Sequence, residues 1–343
     1  MLRELITTCV FRDKTRRFPL GVGILGTGSH VPSRVVGNTE VGTLAGVDDE
    51  WIRRKTGIRE RRYAAEDEAT SDLAVAAARR ALEDAGADVA ELSLVVVATS
   101  TPDSPQPPTA AVVAHRLGAP ARAAAFDLNA VCSGFVFALD LARRHVAEGG
   151  LALVIAAEVY SRVIDPADRR TAVLLGDGAG AAVLGPVPGD RGVLGARLSS
   201  YGELAGVVRV EAGGSRVPTS AATIAAGMHH FRMEGRAVVE FVRGRVPPEV
   251  ERLLADAELA PADVDHVITH QANGHLIRAL VEDLGLPAAR LHTTVERYGN
   301  TGAASSAITL DQARRCSDAQ AGAIALLVTF GGGMSVAVAL LRL

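Results

Sequence analysis

Three short stretches hold side chains suited to covalent chemistry: NAVCSGF with Cys132, THQANGH with His270, and RYGNTGAAS with Asn300. Cys132 stands after the apolar run AAAFDLNA and ahead of Phe135, Leu139 and Ala142/Arg143, which recur at helical spacing. That spacing puts it near a helix N-terminus, where the positive end of the dipole lowers a thiol below its free value of about 8.5. A free cysteine is also a small buried hydrophobe, so its type alone does not make a nucleophile. His270 closes the apolar run DVDHVITHQ, at the strand end where open α/β sheets place ligands. Asn300 lies in a glycine-flanked turn into a helix, where φ > 0 is accessible and an amide can project into a pocket. Singly, the histidine reads equally as a satisfied structural residue and the asparagine as a turn former.

Apolar strand patterns alternate with helical ones along the chain, which predicts an α/β fold with largely parallel pairing. Helix SDLAVAAARRALEDAGADVAEL, with Thr70 or Ser71 as its N-cap, precedes strand LSLVVVATS, the proline-rich turn TPDSPQPP and helix TAAVVAHRLG. The second half repeats the order: strand Leu94–Ser100 matches Val264–His270 at an offset of roughly 170 residues, and the strands at Leu151 and Ala323 match likewise. The division expected is an N-terminal extension over 1–20, a half over 21–190 carrying the cysteine, and a half over 191–343 carrying the histidine and asparagine. Packing about a pseudo-twofold axis would bring two equivalent helix N-termini, and so Cys132 and Asn300, together. At equivalent points of a duplicated fold, the functional reading of the three residues outweighs the structural one.

Composition narrows the classes. With 48% apolar residues but only 4% aromatics, and 35 glycines, the core must be closely packed layers of small side chains. A net charge of −3 gives no ground for non-specific nucleic-acid binding. Cys9, Cys132 and Cys316 are too far apart for a disulfide framework or a metal cluster, which suits a reducing cytosol. The N-terminal run MLRELITTCVFRDKTRRFPLG is too interrupted for a membrane span and lacks the features of a secretory signal, so a soluble, cytoplasmic protein is expected. GDGAGAAVLG lacks the spacing of a phosphate-binding glycine loop and reads as a close-packed strand, so no nucleotide, cofactor or metal is required.

Six motifs occur in order: DEWIRRKTGIRERR, VCSGF, DRRTAVLLGDGAGAAVLG, HQAN, YGNTGAASSAI and FGGGM. With them the chain, from about Gly21 to Leu343, resembles β-ketoacyl-acyl-carrier-protein synthase III of the thiolase-fold condensing enzymes. The resemblance implies a thiolase-like fold of two duplicated halves in αβαβα layers, and a homodimer. It makes Cys132 the acyl-accepting nucleophile, His270 and Asn300 the partners of decarboxylation, and the N–H groups of Cys132 and Gly332 the oxyanion hole. The substrates implied are an acyl-CoA primer and malonyl-acyl carrier protein, joined with loss of CO2. A neutral amide at position 300 suits an enolate hole better than it suits orienting a general base. The alternative keeps the acyl-enzyme but passes the group to an alcohol, amine or carrier thiol without decarboxylation.

The family stacks the CoA adenine between residues that map to Trp51 and Arg169, both present. Lys55 and His275 stand where arginines are usual, which replaces a flat phosphate fork with a point charge and a mostly neutral ring. In the loop that gates the primer pocket, Gln106 and Pro107 replace a large hydrophobic residue, an opening expected to admit longer or branched primers. Together these changes lean toward starter-unit selection for a polyketide pathway. The basic cluster Arg53, Arg54, Lys55, Arg59, Arg61 and Arg62 is expected to face acidic partners.

Overall fold

Two five-stranded sheets of the same strand order face one another across a pair of buried helices. The computed structural model describes residues 20–147, 149–189, 191–316 and 321–343, so Cys9 and the extension ahead of Leu20 lie outside it. The first half runs β1 (Leu20–His30), β2 (Arg34–Gly37), α1 (Asn38–Ala45), α2 (Asp49–Thr56), β3 (Glu60–Tyr63), α3 (Thr70–Ala85) and β4 (Leu92–Ala98). It continues with α4 (Thr109–Leu117), β5 (Ala124–Leu128), α5 (Gly134–Val146), β6 (Leu151–Glu158) and β7 (Gly178–Pro188). The second half begins with β8 (Gly192–Ser200), β9 (Val208–Val210), α6 (Ala221–Ala225), β10 (Phe231–Met233) and α7 (Gly235–Asp256). It ends with β11 (His266–Thr269), α8 (Gly274–Leu284), β12 (Arg290–His292), α9 (Val295–Tyr298), α10 (Ala304–Arg314), β13 (Ile324–Gly331) and β14 (Ser335–Arg342).

One sheet has the order β1-β7-β6-β4-β5 and the other β8-β14-β13-β11-β12. Strand by strand these correspond, which is the duplication the sequence offset implies. The pairing is mixed, not largely parallel: β4 pairs parallel with β5 and β6, and β11 with β12 and β13, while β7 and β14 run antiparallel to both neighbours. Helical crossovers force parallel pairing, whereas β13 reaches β14 through a short glycine turn that reverses the chain.

Period-two alternation assigns the strand faces. Leu94, Val96 and Ala98 of β4, with Ala152, Val154 and Ala156 of β6, point to the centre, where α5 and α10 lie against both sheets. Val95, Val97, Leu153 and Ile155 point outward beneath α3 and α4. On the far side α7 and α8 cover the second sheet through Val242, Val246, Leu253 and Leu280. The result is a five-layered αβαβα stack. Glycine permits close contact in it: a Cβ on Gly180 of β7 would lie 2.5 Å from Ala307 Cβ of α10.

Between β11 and β12, His266 Nδ1 and His292 Nε2 lie 3.1 Å apart and buried. Burial, then repulsion from His266 and Arg290, pulls His292 from 6.5 down to about 4, and burial lowers His266 as well. His292 is therefore held neutral in the fold, while in the unfolded chain it takes up a proton near 6.5. Over that window the unfolded state binds more protons, so the stabilisation tied to neutral His292 is lost as pH falls from 6.5 to about 4, and the lowered His266 acts in the same direction. His292→Gln removes one titration, so thermal unfolding of the variant should depend less on pH across that interval than unfolding of the native chain. Equal slopes would contradict the assignment.

Candidate active site

Cys132 sits on a strained turn. After β5, Asn129 Oδ1 accepts a hydrogen bond from Val131 N at 3.1 Å, and Val131 takes a left-handed φ of 46°, which a β-branched residue adopts only under constraint. Val131, Cys132 and Ser133 form a 3-10 turn that runs into α5. The turn is pressed against the end of β13, where a Cβ on Gly331 would lie 2.7 Å from Cys132 N and 2.9 Å from its Cβ. Ser335 Oγ donates to Ser133 Oγ at 2.9 Å, tying the glycine turn to the nucleophile segment. Gly332 follows and packs against Val131.

Burial opposes the dipole effect expected at Cys132. The residue is nearly buried, and burial, then the neighbouring Glu158 carboxylate, pushes its thiol above the ordinary range. Cys132 also precedes the first residue of α5 by two positions, short of the helix's own free N–H groups.

His270 follows β11 directly and is buried, with its Nδ1 2.7 Å from Ser305 Oγ of α10 and its ring edge-on to Phe330. Burial pulls it down to about 3, so the imidazole is neutral at physiological pH. Asn300 is fixed through its backbone: its N–H donates to Leu174 O at 2.8 Å and its carbonyl accepts from Gly176 N at 3.0 Å. The left-handed conformations fall to its neighbours, Gly299 at φ 65° and Gly302 at φ 55°. Its Oδ1 accepts from Gly302 N at 2.9 Å, which leaves the Nδ2 amide as the outward donor. Gly134 at the start of α5 and Ala303 before α10 nearly touch, with an added Cβ on Gly134 3.4 Å from Ala303 Cβ, so the two helix N-termini meet as the duplication implies.

The sequence reading missed Glu158. It ends β6, is fully buried, and accepts from Ser100 N and Oγ and from Thr101 Oγ1 at 2.6 Å. Burial raises it to about 7. A lone carboxylate closing the apolar run LALVIAAE was the available signal.

The remaining positions spread outward. Arg169 lies over the Trp51 ring at 5.9 Å, beside a surface depression of about 510 Å³ lined also by Gly46, Val47 and Asp48. Lys55, in the last turn of α2, and His275, in the first turn of α8, are both exposed and are linked by Asn273, whose Nδ2 donates to Lys55 O at 3.0 Å. Gln106 and Pro107 are exposed within one chain. Arg61 does not belong to the basic surface: it is fully buried and donates to Asn38 Oδ1 at 2.8 Å and Val173 O at 2.7 Å.

A buried thiol just ahead of α5, with one neutral donor just ahead of α10 and another held by it, suits a reaction in which an oxyanion, not a proton, must be held. His270 is partnered by a hydroxyl and not by the carboxylate that would make it a strong base. Residues 126–202 match the family described as 3-oxoacyl-(acyl-carrier-protein) synthase III, and residues 254–343 match its C-terminal part. The chain is 53% identical over 322 residues to acetoacetyl CoA synthase NphT7 of Streptomyces sp. (strain CL190), covering 93% of this chain and 98% of that one. It is 42% identical to β-ketoacyl-acyl-carrier-protein synthase III of Caldanaerobacter subterraneus subsp. tengcongensis, covering 94% and 98%. The chain belongs to the 3-oxoacyl-acyl-carrier-protein synthase III family. A solved neighbour within that synthase III fold is the priming β-ketosynthase of the R1128 polyketide pathway, at 39% identity and TM-score 0.87 over 94% of this chain and 96% of that one. The chain is thus a condensing acyltransferase of thiolase-like fold, and decarboxylative condensation of an acyl-CoA with a malonyl-carrier protein is its family's reaction.

Replacing Gly331 by Ala would force the added methyl against the Cys132 backbone. Condensation should slow by about 10²-fold or more, the scale of one lost oxyanion donor, with the circular dichroism spectrum unchanged. A native rate would show that the close approach is dispensable.

Proposed function

We propose that Cys132 carries the acyl primer as a thioester, and that His270 and Asn300 stabilise the enolate formed when a malonyl thioester loses CO2. The convergence of the α5 and α10 N-termini, with Gly331 against Cys132, Phe330 against His270, and both neutral donors fixed by hydrogen bonds, carries this reading. The Cys132 thiolate attacks the acyl-CoA carbonyl, the bond to CoA sulfur breaks, and the thiol's proton ends on the released CoA. The malonyl C–C bond to the carboxylate then breaks, its electron pair forming the enolate under the His270 and Asn300 N–H groups. The α-carbon attacks the acyl-cysteine, whose oxyanion meets the N–H groups of Cys132 and Gly332. Collapse releases the 3-oxoacyl thioester, and Cys132 takes up a proton. Each such donor contributes about 3 kcal/mol to lowering the barrier. Acyl-CoA is consumed as a substrate, and no further cofactor enters.

Trp51 and Arg169 hold the CoA adenine, with Lys55 and His275 at the path of the second substrate. In the family reaction the malonyl group rides on an acyl carrier protein. A second reading puts it on CoA, favoured by the 53% identity to a relative named acetoacetyl CoA synthase and by the loss of two arginine forks at positions 55 and 275. The likeness to a priming ketosynthase supports a starter-unit role.

The working unit is a homodimer in the cytoplasm. The outer edge of β5 is unpaired among the described residues and bears exposed Phe126, an edge that a second copy would cover. Asp127 of the same strand caps α4 just after the gate loop, so pairing there would cover Gln106 and Pro107 and let them bound the primer pocket. Cys132 and Cys316 are free thiols, and no helix of the described residues is long and apolar enough to cross a membrane.

Native mass spectrometry tests these points together, after loading with acyl-CoAs of graded size and a chase with malonyl-CoA or malonyl-carrier protein. The expected result is a dimer with one acyl increment per chain, absent from Cys132→Ser and removed with release of CO2. Removal by only one malonyl thioester selects the carrier. An increment that neither moves contradicts condensation, and a monomer mass contradicts the pairing.

A further inference from the structure

The Ser305 hydroxyl is unusually constrained for a helix serine. It lies in the first turn of α10, 1% exposed, between His270 at 2% and Gln271 at 0%. Its oxygen is 2.7 Å from His270 Nδ1 and accepts the Gln271 backbone N–H at 3.2 Å. The Gln271 donor cannot turn away. Its side chain is clamped by Thr269 O at 2.9 Å, Thr294 N at 2.8 Å and Val295 N at 3.1 Å.

A hydroxyl has one proton to give. With its oxygen already accepting from Gln271, that proton has one acceptor among the described residues, His270 Nδ1. Were Nδ1 protonated instead, two N–H groups would converge on one oxygen and a buried O–H would be left unsatisfied. We infer that Ser305 is a positioning residue that holds His270 as the Nε2–H tautomer, so that the imidazole meets the substrate only as a hydrogen-bond donor.

The Gly302 carbonyl also accepts from the ring, which favours the protonated form but is outweighed by burial, and it accepts the Ser305 backbone N–H at 3.2 Å as well. The same turn orients the second donor, since Gly302 N–H holds Asn300 Oδ1, and Nδ2 has no hydrogen-bond partner among the described residues. One turn, from Asn300 to Ser305, therefore sets the polarity of both donors. It also removes His270 as the base for the Cys132 thiol, because its Nε2 has no lone pair to offer. The consequence for catalysis rests on the donor role given above to His270, whereas the tautomer itself does not.

The test uses the full chain labelled with 15N-histidine, with His270→Ala assigning the His270 resonances. Two-bond proton–nitrogen correlations should show Nε2 protonated and Nδ1 bare in the native enzyme, and Ser305→Ala should move the equilibrium toward Nδ1–H. In the same variant CO2 release from malonyl thioester should slow by about 10²-fold, while acylation of Cys132 stays within about 2-fold of native. A native spectrum with Nδ1 protonated overturns the inference, as does a tautomer unchanged in Ser305→Ala. A shifted tautomer with native CO2 release upholds the role of Ser305 and counts instead against His270 as the enolate donor.

Discussion

The molecule is arranged around the burial of α10. Nine of its eleven residues are buried, so it must be covered on every side, and both sheets and α5 are needed to do it. Small side chains make this possible, with Ala303, Ala304 and Ala307 set against glycine and alanine of the facing elements. Two of its polar residues are answered from elsewhere: Asp311 accepts from Thr27 Oγ1 at 2.9 Å and Ser29 Oγ at 2.6 Å of β1, and Thr309 Oγ1 meets Thr294 Oγ1 at 2.8 Å. Once α10 and α5 are enclosed, their N-terminal ends converge, and the residues just ahead of them are the ones able to react together.

The same enclosure shapes the electrostatics. Burial disfavours every charged form, so His270 is neutral, the Cys132 thiol is raised and Glu158 shares its proton near neutrality. A site of this kind gains little from charged catalysts and much from fixed neutral donors, whose hydrogen bonds are stronger away from water.

Much of this was legible in the sequence because it is local or periodic. The repeated strand patterns located the duplication, and Cys132, His270 and Asn300 each stood at an element end where a side chain can project. What escaped was set by contacts between distant segments. Mixed pairing depends on how β7 and β14 are returned to their sheets, which apolar alternation does not encode. Thr70 is not the cap of α3; its hydroxyl donates to Thr101 O, and Asp72 satisfies Ala69 N at 2.7 Å instead. Arg61 reads as one cation of a basic run, yet its guanidinium lies beneath the surface on Asn38 and Val173. Ser305 meets His270 from 35 residues away, a separation no helical or strand period brings together.

The central claim is that the enolate is stabilised by His270 and Asn300 and not by the nucleophile. The most direct measurement is release of labelled CO2 from a malonyl thioester by Cys132→Ala, alone and combined with His270→Ala or Asn300→Ala. The account predicts that Cys132→Ala still decarboxylates, and that removing either donor lowers the rate by about 10²- to 10³-fold. Loss of CO2 release in Cys132→Ala alone, or its survival when both donors are removed, would contradict it.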